Sequence, residues 1–382
     1  MKSYLLVTAD FVRTGGMDRA NFALADYLAR QGQEVHLLAH HVANELLAYP
    51  NVKFHRVPKI AKSYLFSSPL LNRMGCILAQ RLANAEGRVL VNGGNCQWRD
   101  INWVHYVHAA YRPHNSTGWL YRLKGLISHR LFLKTERQAL ESARIIIVNS
   151  DRTKRDLMER LGIPGQRLHK VYYGIDPEVF YPATQKERVA LRQQLGWPTD
   201  KAIVVFIGAL GDRRKGFDTL FEAWQQLCAL PDWDAELVVI GVGAELTLWQ
   251  HRAAVAGISS GIHFLGFRTD VPNLLRAADC LVAPSRYEAY GLGVHEALCC
   301  GLPSIISIMA GVAERYPLQL RELLIPNPEN AVDLAMQLQN WRWNKEHYSQ
   351  LVSSLSQELR SYSWDDMAKS ILQTIENNIL VF

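Results

Sequence analysis

Apolar residues along this chain fall into short runs separated by longer segments with helical spacing. Tyr4 to Ala9 has the character of a buried strand, and a polar loop containing Gly15 and Gly16 follows it. Asp18 then precedes Ala20, Leu24, Tyr27 and Leu28, which recur at helical spacing until Gly32 ends the pattern. Val35 to Ala39, Val52 to Val57, Val89 to Asn92, Trp103 to His108 and Arg144 to Asn149 continue the strand series. The alternation restarts near Lys201, with Ala202 to Ile207, Leu237 to Ile240, Ile262 to Leu265, Cys280 to Ala283 and Ser304 to Ile306. Strands alternating with helices predict an α/β protein whose parallel sheets are covered on both faces. In such sheets ligands gather at the C-terminal ends of the strands. From Ala331 to Phe382 the pattern is helical, with Trp364 ahead of a last amphipathic segment.

The restart of the pattern and the length of 382 residues both imply two domains, because one core rarely serves so long a chain. Proline and glycine cluster in VYYGIDPEVFYP, Val171 to Pro182, as at a domain exit. The expected division is 1–182, 183–362 and a last helix over 363–382. A hydrophobic share of 48% is ordinary for a globular protein, and a net charge of +6 favours anionic ligands or an acidic membrane surface. No basic tail or interleaving of Lys/Arg with aromatics points to nucleic acid. The six cysteines form no CxxC pair, so buried, reduced thiols of a cytoplasmic protein are expected. MKSYLLVTADF is too short in apolar residues for a signal peptide, and no run approaches a membrane span.

Candidate chemistry concentrates between Ala283 and Pro303, APSRYEAYGLGVHEALCCGLP. Here Glu288 and Glu296 flank Gly291 and Gly293, where a strand turns into a helix. A helix start offers unpaired N–H groups and positive partial charge to a phosphate or pyrophosphate. Carboxylates beside such a site suit hydrogen bonds from sugar hydroxyls. Two solvated glutamates near a helix start are the plainer alternative. In GALGDRRKGFDTL, Gly208 to Leu220, the cations Arg213, Arg214 and Lys215 adjoin Gly216 and could neutralise a diphosphate; a surface basic cluster is the alternative. The Gly-Lys-Ser/Thr of a P-loop is missing. The Gly15-Gly16 loop makes no Gly-x-Gly-x-x-Gly, which disfavours a dinucleotide oxidoreductase and leaves a plain strand–helix connection open. WVHYVHAAYRPH, Trp103 to His114, carries three histidines, but no carboxylate or cysteine nearby completes a metal set, and a buried hydrogen-bonded histidine would look the same. Lys59 to Leu82 and Trp119 to Leu140 mix apolar and basic residues. In the second, Leu120, Leu123, Leu126, Ile127 and Leu131 can share one helix face, either against anionic lipid or packed into the core.

Glu288 and Glu296, spaced Glu-x7-Glu and followed by Ala297, Gly301 and Pro303, resemble the signature of family-4 retaining glycosyltransferases of GT-B fold. Gly174-Ile175-Asp176 and the stretch from Gly266 to Ser285 match the same family. The resemblance implies two Rossmann-like domains facing across a cleft, with the last helix crossing back to the first. It implies sugar transfer from a UDP- or GDP-linked donor to an acceptor hydroxyl, with retention and without a metal or other cofactor. Surface glycan, lipopolysaccharide or glycolipid synthesis is the implied setting. Carried over by residue, Glu288 orients the sugar, Glu296 the ribose, and Arg214 and Lys215 the leaving diphosphate, with His108 beside the donor sugar. Gly15, Gly16, Arg213, Val271, Tyr290, Gly291, Leu292 and Gly293 complete the implied donor site. The sequence departs from the family at Leu210, where many members carry arginine, so either Arg213 or Arg214 replaces it. A GT-B sugar epimerase or phosphorylase, and a non-catalytic nucleotide-sugar sensor, share these features. The implied localisation is cytoplasmic, with possible peripheral contact at the inner membrane face.

Overall fold

A computed structural model describes residues 2–60, 64–113, 119–211 and 213–379. In the first half of the chain the elements are β1 (Ser3–Val7), β2 (Asp10–Phe11), α1 (Gly16–Arg30), β3 (Glu34–Ala39), β4 (His41–Val42), α2 (Asn44–Leu47), β5 (Val52–Arg56) and α3 (Tyr64–Ala83). They continue with β6 (Arg88–Asn92), β7 (Ile101–Val104), α4 (Trp119–Ser142), β8 (Ile145–Val148), α5 (Asp151–Leu161) and β9 (Leu168–Lys170). β1, β3 and β5 to β9 form one sheet in the order β5-β3-β1-β6-β7-β8-β9, every pair parallel. Leu5, Leu6 and Val7 are buried because helices cover both faces, which is why these strands are continuous apolar runs rather than alternating ones.

The second half brings α6 (Gln185–Leu195), β10 (Ala202–Ile207), α7 (Phe217–Cys228), β11 (Ala235–Ile240), α8 (Leu246–Val255), β12 (Ile262–Gly266), α9 (Val271–Ala277), β13 (Cys280–Ala283) and α10 (Leu292–Cys299). β14 (Ser304–Ser307), β15 (Leu324–Ile325), α11 (Ala331–Trp343), α12 (Lys345–Arg360) and α13 (Trp364–Ile379) complete the chain. β10 to β15 make a parallel sheet ordered β12-β11-β10-β13-β14-β15. The sheet grows one way from β10 through β11 and β12 and the other way through β13, so its order reverses between β10 and β13. In the first sheet the reversal lies between β1 and β6.

Among the described residues the chain divides into two compact units, one containing 2–60, 64–112, 119–174 and 363–379, the other 113, 175–211 and 213–362. Ile175 to Pro182 therefore group with the second unit rather than with the first: Ile175 N–H donates to Tyr362 O at 3.1 Å, and Pro182 packs on Gly301. Residues 363–379 group with the first unit. α13 buries Met367, Ala368, Ile371 and Ile375 and lies on α1 and β8, with Arg30–Asp365 (2.5 Å) and Lys2–Glu376 (2.7 Å) ion pairs at its margin. Two sequence boundaries need correction. α1 starts at Gly16, so Asp18 lies in its first turn rather than before it, and the strand expected over Trp103 to His108 stops at Val104.

Candidate active site

In the second unit the order of the sheet reverses at β10 and β13. At such a reversal the loops at the strands' C-terminal ends are where open α/β sheets take ligands. After β10 the backbone is tied to the neighbouring loop: Leu210 N–H donates to Val242 O at 3.0 Å and Glu245 N–H to Leu210 O at 2.9 Å. The Leu210 side chain is buried, so the position where the resembled family carries arginine is a packing anchor here. Arg213–Lys215 then form a 3-10 turn ending at Gly216, whose φ is 72°. A Cβ at Gly216 would stand 1.9 Å from Pro284 O, so only glycine lets this turn press against the exit of β13.

That contact brings the cations to Glu288. Lys215 Nζ and Arg214 Nη1 (3.1 Å) both donate to Glu288 Oε2. Arg214 also reaches Tyr287 O at 3.4 Å. Burial alone would raise the Glu288 carboxyl, but Lys215 and Arg214 outweigh it and hold the group below its ordinary range. The side chains of all three remain about one-fifth open, at 20% for Arg214 and Glu288 and 22% for Lys215. Arg213 turns away to Asp218 (2.6 Å) and Glu329 (3.8 Å), so Arg214 is the arginine that joins Lys215.

Arg286, which the sequence reading did not single out, clamps the turn. Its N–H donates to Arg214 O at 2.8 Å and its guanidinium to Arg213 O. The same guanidinium grips Asp218 (2.7 and 2.9 Å) and Glu329 (2.5 and 2.8 Å). An isolated arginine beside an apolar strand was the available signal; its partners lie too far along the chain to be inferred.

Glu288 continues into Tyr290 and Gly291, the N-cap of α10, with φ 105°. A Cβ on Gly291 would approach Val312 Cγ1 to 3.2 Å and Glu288 Cγ to 3.4 Å. Leu292 and Gly293 open the helix, where the first amides have no intrahelical acceptor. Glu296 lies a turn further in and is buried. The Tyr290 hydroxyl meets His295 Nδ1 at 2.8 Å inside the unit. Burial, with Arg315 nearby, pushes the His295 ring down to about 3, so it stays neutral. Val271 begins α9 after the edge strand β12, two strands from β10.

The first unit holds Gly15, Gly16 and His108. Gly15 is the N-cap of α1, with φ 80°, and Gly16 is its first residue. Burial and Asp10 raise the Asp18 carboxyl to about 6 despite Lys59. His105, just past β7, is buried and bonds Tyr173 Oη at 2.5 Å, and burial holds its ring down at about 3. His108 sits in a 3-10 turn with a different partner: Nδ1 lies 2.9 Å from Glu136 Oε1, on α4. The two histidines thus serve separate partners, and among the described residues no three His, Cys, Asp or Glu side chains gather as a metal centre needs. Glu136 was missed because 28 residues separate it from His108.

On α4, Leu126, Ile127 and Leu131 are exposed rather than packed in the core, at 39%, 56% and 38%. The Leu120 and Leu123 side chains, Asp212 and His114 lie outside the described residues. Among the described residues no helix is long and apolar enough to cross a membrane.

The model of Glycosyltransferase Family 4 matches residues 14–179, and that of Glycosyl transferases group 1 matches 187–354. An uncharacterized glycosyltransferase of Methanocaldococcus jannaschii is 25% identical over 377 residues, 93% of this chain and 92% of its own. Several other curated relatives match over a shorter span, and the chain covers about half of their length. Sucrose-phosphate synthase from Thermosynechococcus elongatus superposes with a TM-score of 0.78 at 20% identity over 100% of both chains. Anabaena HepE, solved with UDP-glucose, gives 0.71 at 17% identity over 99% of this chain and 100% of its own. These likenesses establish the GT-B fold.

Proposed function

The chain belongs to the group 1, family 4 glycosyltransferases, and from that membership we propose a retaining enzyme that moves a sugar from a UDP- or GDP-linked donor to an acceptor hydroxyl. The observation that carries the proposal is the convergence of Arg214 and Lys215 on Glu288, at the sheet's reversal point and beside the start of α10. A diphosphate arriving there would draw the two cations, releasing Glu288 to accept a hydrogen bond from a sugar hydroxyl. Before the donor arrives, Lys215 and Arg214 hold the Glu288 carboxyl below its ordinary range, so it meets the donor ionised. The amides at Leu292 and Gly293 would add positive partial charge, and Glu296 would take the ribose. That Anabaena HepE binds UDP-glucose supports a nucleotide-linked donor.

In the transfer step the bond from the anomeric carbon to the phosphate oxygen breaks, and its electron pair leaves with the diphosphate. The acceptor oxygen bonds the anomeric carbon on the same face, and its proton passes to the departing phosphate oxygen. Arg214 and Lys215 stabilise the charge that develops. Because these cations perform that task, turnover is expected to be unchanged by EDTA; loss restored by Mg2+ would overturn the metal-independent step. The exposed apolar residues of α4, beside exposed Arg130, Lys134 and Arg137, support peripheral contact with an anionic membrane and hence a lipid-linked or surface-glycan acceptor.

The test supplies UDP- and GDP-sugars with candidate acceptors and follows free nucleotide and product anomeric configuration by NMR. Nucleotide release that needs an acceptor, with configuration retained, supports the reading. Release without acceptor, or an inverted product, contradicts it. Lys215→Ala should lower turnover by about one to three orders of magnitude.

A further inference from the structure

α4 places Phe132 and Glu136 on one face, a helical turn apart, and both meet His108. Phe132 lies 5.2 Å from the imidazole centroid and Tyr106 meets the ring edge-on at 5.0 Å, so the ring plane is held from two sides. Glu136 is 1% exposed. Its Oε1 accepts the His108 backbone N–H at 2.9 Å and stands 2.9 Å from Nδ1, while Oε2 accepts the Ala109 N–H at 3.3 Å. A carboxylate that takes these backbone N–H groups on both oxygens is an acceptor and has no proton to donate. Nδ1 must therefore carry the proton, whatever the charge of the ring. The His108 side chain is 34% open, and Nε2 makes no hydrogen bond to a described residue. Besides Glu136, His129 is an ionisable group that interacts with the His108 ring.

We infer that Glu136 is a positioning residue that fixes His108 as its Nδ1–H tautomer, so that Nε2 meets the substrate as an acceptor for a sugar hydroxyl. The inference rests on the glycosyltransferase reading and adds to it a residue and a direction for the hydrogen bond. With a glutamine in place of Glu136, the side-chain oxygen can still take the backbone amides. Its NH2 can then donate to Nδ1, which drives the ring proton to Nε2 and turns an acceptor into a donor. A carboxylate that orients an imidazole in this way is worth far more to turnover than to folding.

Long-range proton–nitrogen NMR of the histidine-labelled full chain at mildly alkaline pH reads the tautomer, with the His108 signals identified by their loss in His108→Ala. Wild type should show Nε2 unprotonated, and Glu136→Gln should reverse the two nitrogens. Glu136→Gln should also lower kcat about 10- to 100-fold with the thermal midpoint nearly unchanged, and Glu136→Asp should recover part of the loss. A proton on Nε2 in wild type, or wild-type kcat in Glu136→Gln, overturns the inference. Wild-type kcat in His108→Ala overturns its substrate-facing half. If wild type transfers no sugar at all, the proposed function fails instead, and the NMR result alone decides the tautomer.

Discussion

Glu288 is where the residue-scale account is most exposed to test. Its carboxyl titrates below the ordinary value of 4.5 because Lys215 and Arg214 outweigh burial. A lowered folded-state value means that this interaction is fully present above about 4.5 and is lost as pH falls through the lowered value. Urea unfolding from neutral pH downward should show stability declining once pH passes below that range, and Glu288→Gln should flatten part of the decline. An unchanged acid profile in the variant would show that the two cations do not stabilise the carboxylate. The residues of this cluster were legible in the sequence because glutamates, cations and glycines recur there at fixed spacing. Their mutual contact was not, since 73 residues separate Lys215 from Glu288. Arg213 could not be told from Arg214 by spacing; the Asp218 and Glu329 carboxylates, which decide it, are distant in sequence or unremarkable there.

At the scale of elements, the central strands were readable because burial on both faces makes each an unbroken apolar run. β9 and β15 were not, being short segments at sheet margins with no such run. The strand expected over Trp103 to His108 was overextended for a related reason. Its second half looks apolar and aromatic, yet His105 and His108 leave the ladder for Tyr173 and Glu136. The turn before α7 carries a sharper prediction. Gly216→Ala combines a φ of 72° with a clash against Pro284 O, so it should cost more than about 1 kcal/mol in urea unfolding. It should also weaken donor binding, because Lys215 would be displaced from Glu288. Donor affinity equal to wild type would show that the turn does not place the cation.

For the whole molecule, the doubled alternation foretold two parallel-sheet units, and the reversal of strand order in each marks where ligand loops can meet. What hydropathy could not decide was whether the apolar residues of α4 face a core or solvent, since both demand one apolar face. They are exposed. Flotation with vesicles of anionic lipid should therefore carry the protein upward, neutral vesicles should not, and Ile127→Glu should reduce the effect; equal flotation with both lipids would contradict an electrostatic contact. The central claim, that a nucleotide-linked sugar is held by Lys215 and its neighbours, is tested most directly by thermal-shift titration of wild type and Lys215→Ala against UDP- and GDP-sugars. The account predicts that at least one of these donors raises the wild-type midpoint and does so far less in the variant. No shift with any donor, or equal shifts in both proteins, would contradict it.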